Sequence, residues 1–147
     1  MKVLFVCTGN SCRSQMAEGL VNNDFGREIK AESAGIMPCF VNPYAISVMS
    51  EIGIDISGQR SKYIKEFHTD EFDLIITLCD YAAENCPVWP GTGDRIHMPF
   101  DDPIRTQGNM EQILGEYRRV RDEMRKEIGI YLRDKLKGRV LESGGHC

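Results

Sequence analysis

Residues 7 to 14 read Cys7-Thr8-Gly9-Asn10-Ser11-Cys12-Arg13-Ser14 and follow the apolar run Val3-Leu4-Phe5-Val6. A thiol, five residues, an arginine and a hydroxyl suit a loop wrapped around a tetrahedral oxyanion, with the Gly and Asn allowing tight backbone turns. The N–H groups of such a loop, and the positive end of the helix after it, converge on a bound anion. The same field lowers a thiol pKa and turns the thiol into a nucleophile. Cys7 is therefore the candidate nucleophile, and Thr8, Gly9, Asn10, Ser11, Cys12 and Arg13 are the candidate oxyanion cradle. Arg13 would grip the anion as a bidentate fork, which a lysine lacks. Asn10 would brace the loop, and Ser14 would both cap the next helix and hydrogen-bond the attacking or departing sulfur. The competing interpretation is a buried strand-end cysteine followed by a turn. The strand before, the Gly and Asn inside and the serine after favour chemistry. The loop lacks a Gly-Lys-Ser/Thr ending, so a nucleotide-binding loop is a poor match.

Two further sets of residues bear on the reaction. Asp102, in Asp101-Asp102-Pro103, is a candidate general acid or base, although the tripeptide alone reads as a turn and the choice of Asp102 over Asp101 rests on the family resemblance given below. Cys79 and Cys86 stand with six residues between them, ahead of Pro87. Metal-binding cysteines are usually closer and have histidine partners. His97, His146 and Cys147 lie in no such spacing, so no metal or cofactor is expected. Cys12 reads as structural, Cys39 as packing beside Pro38 and Phe40, and Cys147 as incidental. His68 and His97 read as surface or satisfied core histidines, and Trp89 and Pro90, beyond Cys86, as packing, as a frame for the segment 80–86 or as a contact for a partner protein.

The elements that must position these groups alternate strand and helix. Strands are expected at Val3–Val6, Ile29–Ala34, Asp73–Leu78 and Arg95–Pro99. Helices are expected after Ser14, with Met16, Leu20 and Val21 on one face, and from Asn42-Pro43 to Ile52, where Asn caps, Pro opens and Gly53 stops the helix. A helical turn is expected at Tyr81–Asn85, and a long helix from Met110 to Leu136. That last helix carries an apolar stripe of Ile113, Leu114, Tyr117, Val120, Met124, Ile128, Tyr131 and Leu132. Its charges, Glu116, Arg118, Arg119, Arg121 and Asp122, read as a solvated face. This alternation implies an α/β fold: a doubly wound open sheet of about four parallel strands flanked by helices. Ligands of such sheets bind beyond the carboxyl ends of the strands, where Cys7, Cys79 and Asp102 all fall. One domain is expected over 1–137, with a flexible tail at 138–147.

Bulk properties set limits. The hydrophobic share is 41%, the charged share 27% and the net charge −4, which suit a globular domain and argue against a nucleic-acid binder. No run approaches the ~18 apolar residues of a membrane span. Four apolar residues ahead of Cys7 are too few for a signal peptide. A cytoplasmic location is expected, where cysteines in motifs are catalytic or redox-active more often than disulfide-bonded. No feature demands an interface, so a monomer is expected.

The stretch Val6 to Gly19 resembles low-molecular-weight protein tyrosine phosphatases and, more closely, thioredoxin-coupled arsenate reductases. Ser33-Ala34-Gly35, Asn42-Pro43, Gly53-Ile54-Asp55-Ile56-Ser57 and Phe100-Asp101-Asp102-Pro103 extend the resemblance to about residue 136. Phosphatase members usually follow Asp-Pro with a tyrosine that holds the aromatic substrate, and here Ile104 follows. Thr77-Leu78-Cys79-(x6)-Cys86-Pro87 looks like the reductases. What the resemblance implies is a three-thiol relay. Cys7 attacks arsenate, aided by Arg13 and Asp102. Cys79 attacks Cys7 and arsenite leaves. Cys86 attacks Cys79, and thioredoxin reduces the Cys79–Cys86 disulfide. The alternatives are an aryl phosphate phosphatase and a thiol-based arsenic-binding or sensing module without turnover. Some relatives bind a monovalent cation through Asn, Glu, Ser and Asp. Asn10, Glu18 and Ser33 match three of these, and Lys62 stands at the fourth, where its ammonium would replace the ion.

Overall fold

The structure, a computed structural model, describes residues 1–67, 71–87 and 93–144, with side chains to residue 138. His68, Trp89, Pro90, His146 and Cys147 lie outside the described residues. Four strands, β1 (Lys2–Cys7), β2 (Lys30–Gly35), β3 (Leu74–Thr77) and β4 (Asp94–His97), form one parallel sheet in the order β2-β1-β3-β4. Four α-helices connect and flank them: α1 (Arg13–Asp24), α2 (Pro43–Glu51), α3 (Asp80–Asn85) and α4 (Met110–Gly144). The chain steps from β1 to β2 on one side and to β3 on the other. The crevice beyond the ends of β1 and β3 is therefore the switch point at which such sheets bind ligands.

Strand alternation sorts the core into two unequal clusters. Val3 and Phe5 of β1, with Leu74 and Ile76 of β3, point into the larger one, which α1, α2 and α4 cover. Leu4, Val6 and Ile75 point the other way into a smaller cluster that also holds Cys7, Cys79, Ala82 and Cys86. The stripe of α4 is seated as its spacing predicts: Tyr117, Val120, Met124, Ile128 and Leu132 are buried. Asn42 caps α2 by accepting from Tyr44 N at 2.8 Å and Ala45 N at 3.3 Å. Gly53 follows at φ 79°, the left-handed conformation that closes helices.

The structure departs from the sequence expectations at several points. Residue 12, with no side-chain cap, precedes α1, so Ser14 sits within the first turn and does not cap. Helix α4 continues to Gly144, so the irregular tail expected from Gly138 is helical that far. A single glycine costs a helix only about 1 kcal/mol, and Lys137, Arg139 and Leu141 around it are good helix formers. The charges of α4 are not one solvated face. Arg121 is buried and donates to Val48 O at 2.8 Å and Glu51 at 3.1 Å. Arg118 forks onto Glu51, and Arg125 onto Asp24. These ion pairs fasten α4 to α2 and α1.

Candidate active site

Local hydrogen bonding explains why residues 7–13 form a cradle. Each carbonyl from Cys7 to Cys12 is taken by a donor outside the loop: Ile36 N, Met37 N, Cys39 N, Gln15 Nε2 with Ser61 Oγ, Asn42 N and Met16 N in turn. Among the described residues no acceptor meets the N–H of Gly9, Asn10, Ser11 or Cys12. A loop with its carbonyls occupied and its amides unspent is built for an anion. Asn10 is fully buried at φ 46°, a left-handed angle that asparagine tolerates better than most side chains. Its Oδ1 accepts from Lys62 N at 2.7 Å and its Nδ2 donates to Ser14 Oγ at 2.8 Å. Ser11 Oγ is buried without a partner among the described residues, and Ser11 lines the same cavity, of about 950 Å³, as Cys7, Arg13, Cys79 and Asp102.

Arg13 Nη1 donates to Phe100 O at 3.0 Å, and Nη2 lies 3.4 Å from Asp102 Oδ2. The carboxylate of Asp101 instead pairs with Arg119 at 2.9 Å. Only Asp102 thus stands beside the arginine of the cradle. The hydrogen bond expected from Ser14 to the Cys7 sulfur is not formed among the described residues. The Ser14 hydroxyl accepts from Asn10 and braces the loop.

The second thiol is close to the first. Cys7 Sγ lies 3.9 Å from Cys79 Sγ and donates to it, and Thr8 Oγ1 is 3.2 Å from the same Cys79 sulfur. The hydrogen bond from Cys7 pulls the Cys79 pKa down to about 5 against the opposing effect of burial, with help from Thr8, the Ala82 amide and Arg13. Cys7 moves the other way: its hydrogen bond to Cys79 and its burial keep the proton on it, despite Arg13. The two shifts are two sides of one contact, in which Cys79, just ahead of α3, is the more acidic partner. Burial pushes the Cys86 thiol up, with Arg95 opposing. Burial, reinforced by Asp102, pushes Cys12 up despite Arg13. Cys39 is exposed at the cavity rim rather than packed in the core, with Sγ 3.6 Å from Gly9 O.

The three candidate cation ligands are already engaged. Glu18 Oε1 accepts from Ser33 Oγ at 2.8 Å and pairs with Lys62 Nζ at 3.2 Å, all buried, while Asn10 Oδ1 is held by Lys62 N and Gln15. These oxygens do not fit a free monovalent cation, because a protein ammonium already stands among them. No group of three His, Cys, Asp or Glu that could hold a metal occurs among the described residues.

Sequence reasoning missed several supports. Thr8 lines the cavity and its hydroxyl also meets the Cys79 sulfur. Gln15 and Ser61 hold Asn10, with Gln59 donating to Gln15, and no spacing pattern points to these three. Arg95 and His97 reach α3 from β4, and their period-2 spacing was the available signal.

Residues 2–140 match the family described as Low molecular weight phosphotyrosine protein phosphatase. The chain belongs to the low-molecular-weight phosphotyrosine protein phosphatase family. Within that family it is 48% identical over 126 residues to an arsenate reductase of Halalkalibacterium halodurans, covering 86% of this chain and 91% of the relative. Among solved structures it is similar to an arsenate reductase in the phosphate binding state, with TM-score 0.73, 35% identity and coverage of 90% of this chain and 97% of the other. It is also similar to a low molecular weight protein tyrosine phosphatase from T. tengcongensis, with TM-score 0.72, 27% identity and coverage of 91% and 99%. The phosphatase-family architecture, a four-stranded parallel sheet flanked by helices, is the one described above. No helix among the described residues is long and apolar enough to cross a membrane.

Proposed function

We propose that this phosphatase-family chain reduces arsenate to arsenite through Cys7, Cys79 and Cys86, as a monomer in the cytoplasm, with thioredoxin restoring the thiols. The observation that carries the reading is the 3.9 Å approach of a second, low-pKa thiol to the Cys7 sulfur. Hydrolysis of a phosphate ester needs one thiol, whereas reduction of arsenate needs two electrons.

The cradle amides, the Ser11 hydroxyl and the Arg13 fork hold the oxyanion. Proton transfer from Cys7 to the Cys79 thiolate, or to the oxyanion, produces the nucleophile. The Cys7 sulfur bonds to arsenic while Asp102 protonates a departing oxygen, which leaves as water. Cys79 passes its proton to solvent and, as a thiolate, attacks the Cys7 sulfur. The S–S bond forms, the S–As pair stays on arsenic, and arsenite leaves two electrons richer. Cys86 attacks Cys79, moving the disulfide to Cys79–Cys86 and returning the electron pair to Cys7. While α3 is helical, the seven-residue step from Cys79 to Cys86 spans about 10 Å by helix rise. A disulfide holds its Cα atoms within about 7 Å, so α3 unwinds for this step. In the same reading the Lys62 ammonium serves as the resident cation that braces Glu18, Ser33 and the loop. Turnover is then equal in potassium and sodium, and a strong rise in potassium would count against it.

Arsenate and phosphate are near-isosteres, so aryl phosphate hydrolysis at the same loop is the second reading, favoured by a cradle and an Asp102 that suit either ion. Cys79→Ser and Cys86→Ser, each assayed for thioredoxin-coupled arsenate reduction and for aryl phosphate hydrolysis, separate the two. The relay predicts that reduction is lost in both variants while hydrolysis survives. Survival of reduction in either variant overturns the relay. A wild type that turns over neither substrate points to a binding or sensing role.

A further inference from the structure

Strand β4 forms one edge of the sheet, and its two faces meet different neighbours. Asp94 pairs with Lys135 of α4, and Ile96 packs against the larger core. The alternate residues, Arg95 and His97, face α3. Arg95 Nη2 donates to Cys86 O at 2.8 Å and Ala83 O at 3.3 Å, and Nη1 to Pro87 O at 3.5 Å. The last carbonyls of a helix have no intrahelical donor, and a cation beside them also meets the negative end of the helix dipole. At the opposite end of α3, His97 Nε2 lies 2.9 Å from Asp80 Oδ1, while Nδ1 is 2.8 Å from Thr77 Oγ1. Two side chains on one strand therefore hold both ends of the six-residue helix that separates Cys79 from Cys86.

A helix this short does not sustain itself in water, so what fastens it decides how often it opens. We propose that Arg95, seconded by His97, is a clasp that keeps α3 helical while Cys79 and Cys86 are thiols and releases it as their disulfide forms. Arg95 thereby sets how readily that disulfide forms. The inference rests on the three-cysteine relay above. Arg95 acts as a positioning residue, because its contacts are to backbone carbonyls in the last turn of α3 and just beyond it, and not to the cradle. The step it governs is an exchange. The Cys86 thiol loses its proton to solvent and its sulfur bonds to Cys79; the Cys7–Cys79 bond breaks, and its electron pair goes to Cys7. Unwinding turns the carbonyls of Ala83 and Cys86 away, so the fork of Arg95 must exchange them for water. His97 adds less, since the Asp80 carboxylate is 86% exposed and exposed pairs contribute little.

The test measures the Cys79–Cys86 equilibrium directly. The full-length chain carrying Cys7→Ser is equilibrated with stepped ratios of reduced to oxidised glutathione, and the disulfide is quantified by peptide mass mapping. Arg95→Ala is expected to form the disulfide at a ratio about 10-fold or more richer in the reduced form, the size of one lost net hydrogen bond to a charged group. Arg95→Lys, which keeps the charge without the fork, falls between, and His97→Ala shifts less. In the reduced chain the Cys86 amide, bonded to Ala82 O at 2.8 Å, exchanges its hydrogen faster in Arg95→Ala, while β1 amides exchange as before. An unchanged disulfide midpoint with unchanged Cys86 exchange overturns the clasp, as does an equal acceleration in β1. A Cys7→Ser chain that forms no Cys79–Cys86 disulfide at any ratio overturns the relay itself, and with it the role given to Arg95.

Discussion

Charge at the centre of the site is divided between few atoms. Arg13 is the only side-chain cation in direct contact with Asp102 among the described residues, and its second nitrogen is anchored on Phe100 O. A lysine offers one point charge in place of two aligned donors. Arg13→Lys should therefore lose about 2–3 kcal/mol of oxyanion binding, or roughly 10²-fold in kcat/KM. Steady-state assays on arsenate and on an aryl phosphate should show the same loss, because both anions use the one fork. The two sulfurs make a separate prediction. With Cys79 titrating near 5, thiolate absorbance at 240 nm should show a step there that is absent in Cys79→Ser. Thr8→Val, which removes a donor 3.2 Å from that sulfur, should move the step to higher pH. At this scale the sequence was legible where a residue type is tied to its chemistry: Cys7, Arg13, Cys79 and Asp102 line one cavity. It was not legible where a contact depends on a distant segment. Ser14 was read from local spacing as a cap and a sulfur donor. Its actual partner, Asn10, is chosen by a left-handed backbone angle that no spacing reveals.

Elements place these atoms by crowding as well as by bonding. Gly35 ends β2 directly behind the cradle, and a Cβ there would stand 2.8 Å from Thr8 O and 2.9 Å from both Asn10 N and Asn10 Cβ. These are backbone or short side-chain atoms with nowhere to retreat. Gly35→Ala should therefore displace the loop, destabilise the fold by about 1–3 kcal/mol and depress turnover on every oxyanion. Thermal unfolding and kinetics on the same preparation check this, and an alanine variant with wild-type turnover would refute it. Strand and helix positions were largely readable, because apolar alternation and a proline-opened, glycine-closed helix are local signals. The end of α4 was misjudged for the opposite reason: Gly138 carries a local penalty too small to stop a helix already 28 residues long by that point.

For the molecule as a whole, α4 is the fastener. Its arginines reach Glu51 of α2 and Asp24 of α1. The Arg118 and Arg121 contacts outweigh desolvation and hold the Glu51 carboxyl below its usual range. Burial works to raise Asp24, but Arg125 outweighs it and lowers the group as well. A carboxyl with a depressed native pKa adds stability that is complete above the unfolded value of about 4 and vanishes as pH falls through the native one. The melting temperature should thus hold from neutral pH to about 5 and fall steeply below about 4. Arg125→Ala should lower the neutral plateau and shrink the acid drop, measurable by calorimetry across pH. None of this was visible in the sequence, where these arginines look like ordinary surface charge. Pairings that link residues 24 and 51 to residues 118–125 exist only once the sheet has brought the helices together.

The two unequal cores on either side of the sheet carry one more consequence. Cys7, Cys79 and Cys86 all belong to the smaller cluster, whereas α1, α2 and α4 close over the larger one. The sheet therefore works as insulation: in the proposed relay, disulfide exchange and the opening of α3 take place on one side while the larger core on the other keeps its packing.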